Sequence, residues 1–194
     1  MSGDPVRLHL GCGDVHLDGF VNMDSQDSDA VDIVGDMRDL SRYADGSVER
    51  IECYHAIEHL SEAEAYQAVK EWCRVLMPGA TLIIESPNLR ACARGIVETS
   101  PWERGWFRYC VWGLFCAQVG KEMDSNGRHL AHGTVHKWLY TPETLAELLE
   151  DSGFEDVVMK TPQTHDSSRD MRAEAKKPRA LVRDGQSTEL QGED

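Results

Sequence analysis

Two β-type runs near the N-terminus, VRLHL and FVNMD, are joined by only ten residues, Gly11 to Phe20. A parallel crossover that carries a full helix needs a dozen residues or more, so the first helix is reduced to a single turn or missing. The next gap, Ser25-Gln26-Asp27-Ser28-Asp29-Ala30, is equally short. Any parallel sheet built this way leaves one face thinly covered near its first three strands. An aromatic insertion further along the chain, or a partner chain such as the second copy in a homodimer, is expected to cover it.

Further β-type runs follow: VDIVGD, VERIECYHA and ATLIIESP. Between the last two lies a strong helix signal, opened by the capping box Ser61-x-x-Glu64 and carrying Tyr66, Val69, Trp72, Cys73 and Leu76 on one face. Pro78-Gly79 is expected to stop it. A second helix opens at Thr141-Pro142, buries Leu145, Leu148 and Leu149, and ends at Gly153. After it, FEDVVMKT and RDMRAEAKK lie too close together for anything but an antiparallel hairpin at a sheet edge. The pattern predicts an α/β fold: a Rossmann-like, doubly wound sheet, mostly parallel, with an antiparallel C-terminal edge hairpin and shortened first crossovers. One domain spans residues 1–178, and the polar remainder, residues 179–194, is expected to be disordered for want of apolar surface.

A net charge of −14 repels a phosphate backbone over most of the surface, which argues against a nucleic-acid substrate. The six cysteines form no C-x-x-C pair, MSGDPVR lacks the apolar run of a signal peptide, and no stretch approaches a membrane span. The chain therefore reads as cytoplasmic, with reduced thiols and no membrane partner.

Residues 89–140 form an insertion of a different character. Four of the five tryptophans, Trp102, Trp106, Trp112 and Trp138, lie there with Phe107, Tyr109 and Phe115. Long insertions in compact domains are commonly functional, and this one is expected to cap the ligand site. Trp102, Trp106 and Tyr109, at helical spacing, could equally anchor the insertion to the sheet.

The turn Leu10-Gly11-Cys12-Gly13 lets the backbone approach a ligand without an intervening Cβ. A dinucleotide pattern would need a third glycine where His16 stands, which counts against an NAD-dependent oxidoreductase. Asp24 ends the second run, where a carboxylate can accept both hydroxyls of a ribose. Gly35-Asp36-Met37-Arg38 follows the third.

Together with CYHAIEHL and PGATLIIESPN, these residues resemble the class I S-adenosylmethionine-dependent methyltransferases, over about residues 6–177. The resemblance implies that the turn Gly11, Cys12 and Gly13 lies against the methionine part of the cofactor. It implies that Asp24, with Ser25, binds the ribose and that Asp36, Met37 and Arg38 stand at the adenine. His55 matches the position that closes the site from the sulfonium side. The implied activity is methyl transfer to a small-molecule acceptor, through oxygen or nitrogen. A protein that keeps the fold for cofactor binding or assembly alone is the rival from another class.

Deprotonating such an acceptor calls for a base near neutral pH, and histidine suits the task. His55, His132 and His136 are the catalytic candidates, while His59 beside Glu58 is read as orienting a loop. His129, His132 and His136 have helical spacing, but Gly133 interrupts them and no carboxylate follows closely, so no metal is expected.

Overall fold

The computed structural model describes residues 5–98, 104–115, 135–164 and 166–179. His129 and His132 lie outside the described residues, as do residues 180–194 of the expected tail. Seven strands, β1 (Val6–Leu10), β2 (Val21–Asp24), β3 (Ile33–Val34), β4 (Val48–Tyr54), β5 (Leu76–Pro87), β6 (Glu155–Lys160) and β7 (Asp170–Lys176), form one sheet in the order β3-β2-β1-β4-β5-β7-β6. The first five run parallel, and β7 inserts antiparallel between β5 and β6. This is the Rossmann-like sheet with its antiparallel edge hairpin that the sequence implies. Among the described residues no helix is long and apolar enough to cross a membrane.

One face of the sheet carries the core. Leu8 and Leu10 of β1 sit in register with Ile51 and Cys53 of β4, which neighbour Leu82 and Ile84 of β5. Onto these pack α1 (Glu62–Val75), through Ala65, Val69 and Trp72, and α4 (Pro142–Asp151), through Leu145 and Leu149. Ser61 closes α1 with the expected capping box, and Thr141 caps α4 in the same way using Thr144. The buried face of α1 is rotated from the one read in the sequence. Tyr66 stays on the surface, with its hydroxyl donating to the Asp151 carbonyl. The helix also ends earlier than Pro78-Gly79. Leu76 is fully buried and already belongs to β5, while Gly79 takes a left-handed φ of 81° inside the irregular start of that strand.

The other face is polar. Arg50, Glu52 and Tyr54 alternate along β4, and Arg172 and Glu174 along β7. Glu52 accepts from Arg50 Nε at 2.5 Å and from the Tyr54 hydroxyl, while Arg172 binds Glu85 Oε1 at 2.8 Å and Glu174 Oε1 at 2.8 Å. Lys160 of β6 closes on Glu174 at 2.6 Å. These pairs satisfy one another within the sheet surface from β4 to β6. The expectation that the aromatic insertion would lie over β1–β3 is not met among the described residues. Its helices, α2 (Leu89–Glu98) and α3 (Arg104–Phe115), pack on each other and around Arg169.

Buried Asn22 organises the loop that replaces the first helix. Its Oδ1 accepts from the Leu17 N–H at 2.8 Å, its Nδ2 donates to the Leu17 and Phe20 carbonyls, and its own N–H donates to Asp32 Oδ2 at 2.8 Å. A single amide side chain thus holds a loop in place of a helix.

Candidate active site

The parallel strands β1, β2 and β4 end on one edge of the sheet, and the turns leaving them enclose a cavity of about 470 Å³. Gly11 makes the first turn possible. Its φ is 68°, and a Cβ there would sit 2.2 Å from Ala56 Cβ, which leaves no room for any side chain. Gly13, at φ 55°, would instead send a Cβ into open space. Asp24 faces the cavity with its carboxylate exposed, Oδ2 accepting from the Gly13 N–H at 2.8 Å and Oδ1 from the Gln26 N–H at 2.9 Å. Each oxygen keeps further lone pairs for a ligand.

Asp36 and Met37 lie across the cavity from this turn. Buried Trp72 donates its indole N–H to the Met37 carbonyl at 2.7 Å and so ties this loop to α1. Arg38 grips Asp36 through Nε and Nη2 and reaches Glu64 through Nη1, and its hydrogen bonds hold the Asp36 carboxyl below the ordinary carboxylate range. Gly11, Gly13, Asp24, Ser25, Asp36, Met37, Arg38 and His55 thus line one cavity, from positions spread over forty-five residues of sequence. Cys12 does not line it. That thiol is buried, and burial pushes its pKa up to about 11.

His55 follows β4 in the left-handed region at φ 51°, unusual for a residue with a side chain, and its N–H donates to the Glu85 carbonyl at 2.8 Å. Its ring lies between two buried carboxylates, Nδ1 3.3 Å from Glu58 and Nε2 3.5 Å from Asp170. Burial alone would lower the imidazole pKa, but the neighbouring Asp170 and Glu58 carboxylates outweigh it and raise it to about 9. At neutral pH this ring is a cation and a donor, which suits orientation and charge better than taking a proton.

His136 approaches from the other side. The Lys137 N–H donates to the Glu58 carbonyl at 2.8 Å, pinning the returning insertion to the 3₁₀ turn Ile57–His59. His136 Nδ1 pairs with the Gly113 carbonyl at 2.9 Å, Nε2 faces Glu58 at 3.8 Å, and the ring packs edge-on against His59. Burial holds its pKa below the usual histidine value. His59 lines the cavity, whereas His136 stands behind it. Of the described part of the insertion, Lys137 alone reaches the cavity wall.

The insertion touches the site by a second route. Tyr109 and Trp112 of α3 stack over the Arg169 guanidinium at 4.2 and 5.0 Å, and Arg169 clamps Asp170 with bonds of 2.7 and 3.0 Å. The aromatic cluster therefore fixes the carboxylate that holds His55. Sequence reading missed Asp170, because 115 positions separate it from His55 and only the hairpin register joins them. It also missed how deeply Glu58 is buried, for which the HAIEHL run carries no periodic signal.

Compared with known proteins, residues 15–84 match the methyltransferase domain family. No curated protein matches the chain. In fold, the chain is similar to a SAM-dependent methyltransferase from Archaeoglobus fulgidus, with a TM-score of 0.56 and 16% identity over 90% of this chain and 87% of the other. It is also similar to a SAM-dependent methyltransferase from Methanosarcina mazei (TM-score 0.51, 17% identity, 92% and 95% covered). A protein from Pyrococcus horikoshii shows the same likeness (TM-score 0.55, 19% identity, 91% and 84% covered).

Proposed function

We propose that this chain is a class I S-adenosylmethionine-dependent methyltransferase that moves the cofactor's methyl group to an oxygen or nitrogen of a small molecule. The observation that carries this reading is the convergence of Gly11, Gly13, Asp24, Asp36, Met37 and His55 on one cavity. The cofactor supplies a methyl group already activated by positive sulfur. The chain's residues bind and align: Gly13 admits the methionine part, Asp24 accepts the ribose hydroxyls, and Met37 with Asp36 receives the adenine. Arg38 shares or releases Asp36 as the base enters.

The acceptor side is the cluster of His55, His59, Glu58 and His136. His55 carries positive charge and orients, and His59 lines the cavity, while His136, read in the sequence as a base, stands behind it with Nδ1 paired to the Gly113 carbonyl. His132, the remaining catalytic candidate, lies outside the described residues. The rival reading, a protein that keeps the fold for assembly, loses ground where His55 and His59 line the cavity. Nothing in the cavity supplies the third glycine of an NAD-binding turn.

Calorimetric titration with S-adenosylmethionine and its demethylated product, with NAD as control, tests the reading. Micromolar binding of the first two and none of the third is expected, with Asp24→Ala weakening both several-fold or more. Binding of NAD alone would favour the oxidoreductase, and unchanged affinity in Asp24→Ala would remove the ribose assignment. Failure of all three ligands would favour the assembly protein.

A further inference from the structure

We infer that Glu58, His59 and His136 form a site for one divalent transition metal of the zinc type, at the acceptor end of the cofactor cavity. Three ligand atoms, one from each residue, lie within 4.8 Å of one another. Bond lengths of about 2.1 Å around a tetrahedral ion place its ligand atoms roughly 3.4 Å apart. Glu58 Oε1 and His136 Nε2, at 3.8 Å, are already near that spacing.

The second observation is the state of Glu58. Its side chain is wholly buried, and neither carboxylate oxygen receives a well-directed hydrogen bond among the described residues. Buried carboxylates are costly unless paired or bound to a metal. The His55 ring, 3.3 Å from one oxygen, offsets part of the charge but leaves the other oxygen unpartnered.

The third observation is how the two imidazoles are held. Metal-binding histidines commonly donate the second ring N–H to a backbone carbonyl, which fixes the tautomer and turns the other nitrogen's lone pair to the ion. His136 Nδ1 lies 2.9 Å from the Gly113 carbonyl, and His59 Nδ1 lies 3.3 Å from the Val135 carbonyl. Both rings then leave Nε2 with its lone pair as the ligand atom. Without an ion, His136 Nε2 points a lone pair at a carboxylate, an arrangement that only a proton or a cation relieves.

Two imidazoles and one carboxylate suit zinc, cobalt or ferrous iron far better than magnesium or calcium, which take oxygen ligands. Three protein ligands also leave a position open, as in sites where zinc receives a substrate or water. His59 belongs both to this set and to the cavity wall, so the open position borders the cavity proposed for the cofactor. An acceptor oxygen or nitrogen bound there would lose its proton more easily and be held in line. The metal site stands on its own geometry; its role toward the acceptor rests on the proposed methyl transfer.

The test uses the full chain, stripped with chelator and dialysed against Zn²⁺ or Co²⁺, with bound metal counted by mass spectrometry and Co²⁺ read by its visible spectrum. One equivalent per chain is expected, together with a rise in melting temperature on adding Zn²⁺. Glu58→Gln, which keeps the buried shape, and His59→Ala should each weaken metal binding tenfold or more and abolish the melting shift. His136→Ala should do the same while leaving S-adenosylmethionine affinity within about threefold. Substoichiometric binding by the wild type would overturn the inference whether or not the variants fold. So would full binding by His59→Ala/His136→Ala. Stoichiometric metal in a protein that binds no S-adenosylmethionine would uphold the site and remove the methyl-transfer reading instead.

Discussion

Two glycines in one turn do different work. Gly11 needs both its left-handed φ and the empty space against Ala56, whereas Gly13 needs only the φ, its missing Cβ facing the cavity. Gly11→Ala is therefore expected to cost about 2 kcal/mol or more, since backbone strain and a clash with a buried side chain add. Gly13→Ala should cost about 1 kcal/mol and lower cofactor affinity more than stability. Chemical denaturation and calorimetry on the pair check this; equal losses of stability would mean that Ala56 shifts aside. The glycines and Asp24 were legible in the sequence because turn chemistry and a strand end are local. Glu58 was not. Its importance comes from what the insertion brings within reach, and a six-residue run carries no trace of a partner 78 positions away.

At the level of elements, one carboxylate adds to the β5–β7 ladder in fastening the β6–β7 hairpin to the parallel strands. Glu85 of β5 accepts from the Gln163 N–H at 2.8 Å, from the Thr164 N–H at 3.0 Å and hydroxyl, and from Arg172 Nη1 at 2.8 Å. Burial would raise its pKa, but the bonds from Thr164, Gln163 and Arg172 outweigh it and hold the value down. Glu85→Gln is expected to cost about 3 kcal/mol at pH 7 because it leaves Arg172 short of a buried partner. A depressed carboxyl stabilises the fold above its unfolded pKa of about 4.3 and loses that contribution as pH falls through the lower folded value. The gap in melting temperature between wild type and Glu85→Gln should accordingly narrow from pH 7 to pH 3. A constant gap would mean that Glu85 is not charged in the folded chain. The helix starts were readable from Ser61 and Thr141 because caps are local. The end of α1 was misread because Pro78-Gly79 serves equally well as a stop and as an irregular strand entry, and Leu76 decides between them only through the space it fills in the core.

Among the described residues, the molecule is a mostly parallel sheet with helices on its apolar face and ion pairs on much of the other. The alternation Arg50, Glu52, Tyr54 and Arg172, Glu174 was present in the sequence and is the period of a strand with one wet face. It went unread because parallel sheets are normally covered on both sides. Replacing a partly buried ion pair by apolar residues of similar size is commonly neutral for stability, so Arg50→Leu/Glu52→Leu is expected to melt within a few degrees of the wild type. What the double variant should lose is wettability. Where Arg50 and Glu52 now neutralise each other, two leucines would remove both charges and leave an apolar side chain at the exposed Arg50 position, beside buried Ile83. Sedimentation should show the variant associating at concentrations where the wild type does not. The ion pairs would then be recognised as a colloidal device, one that lets a sheet shorn of two crossover helices remain dispersed in water.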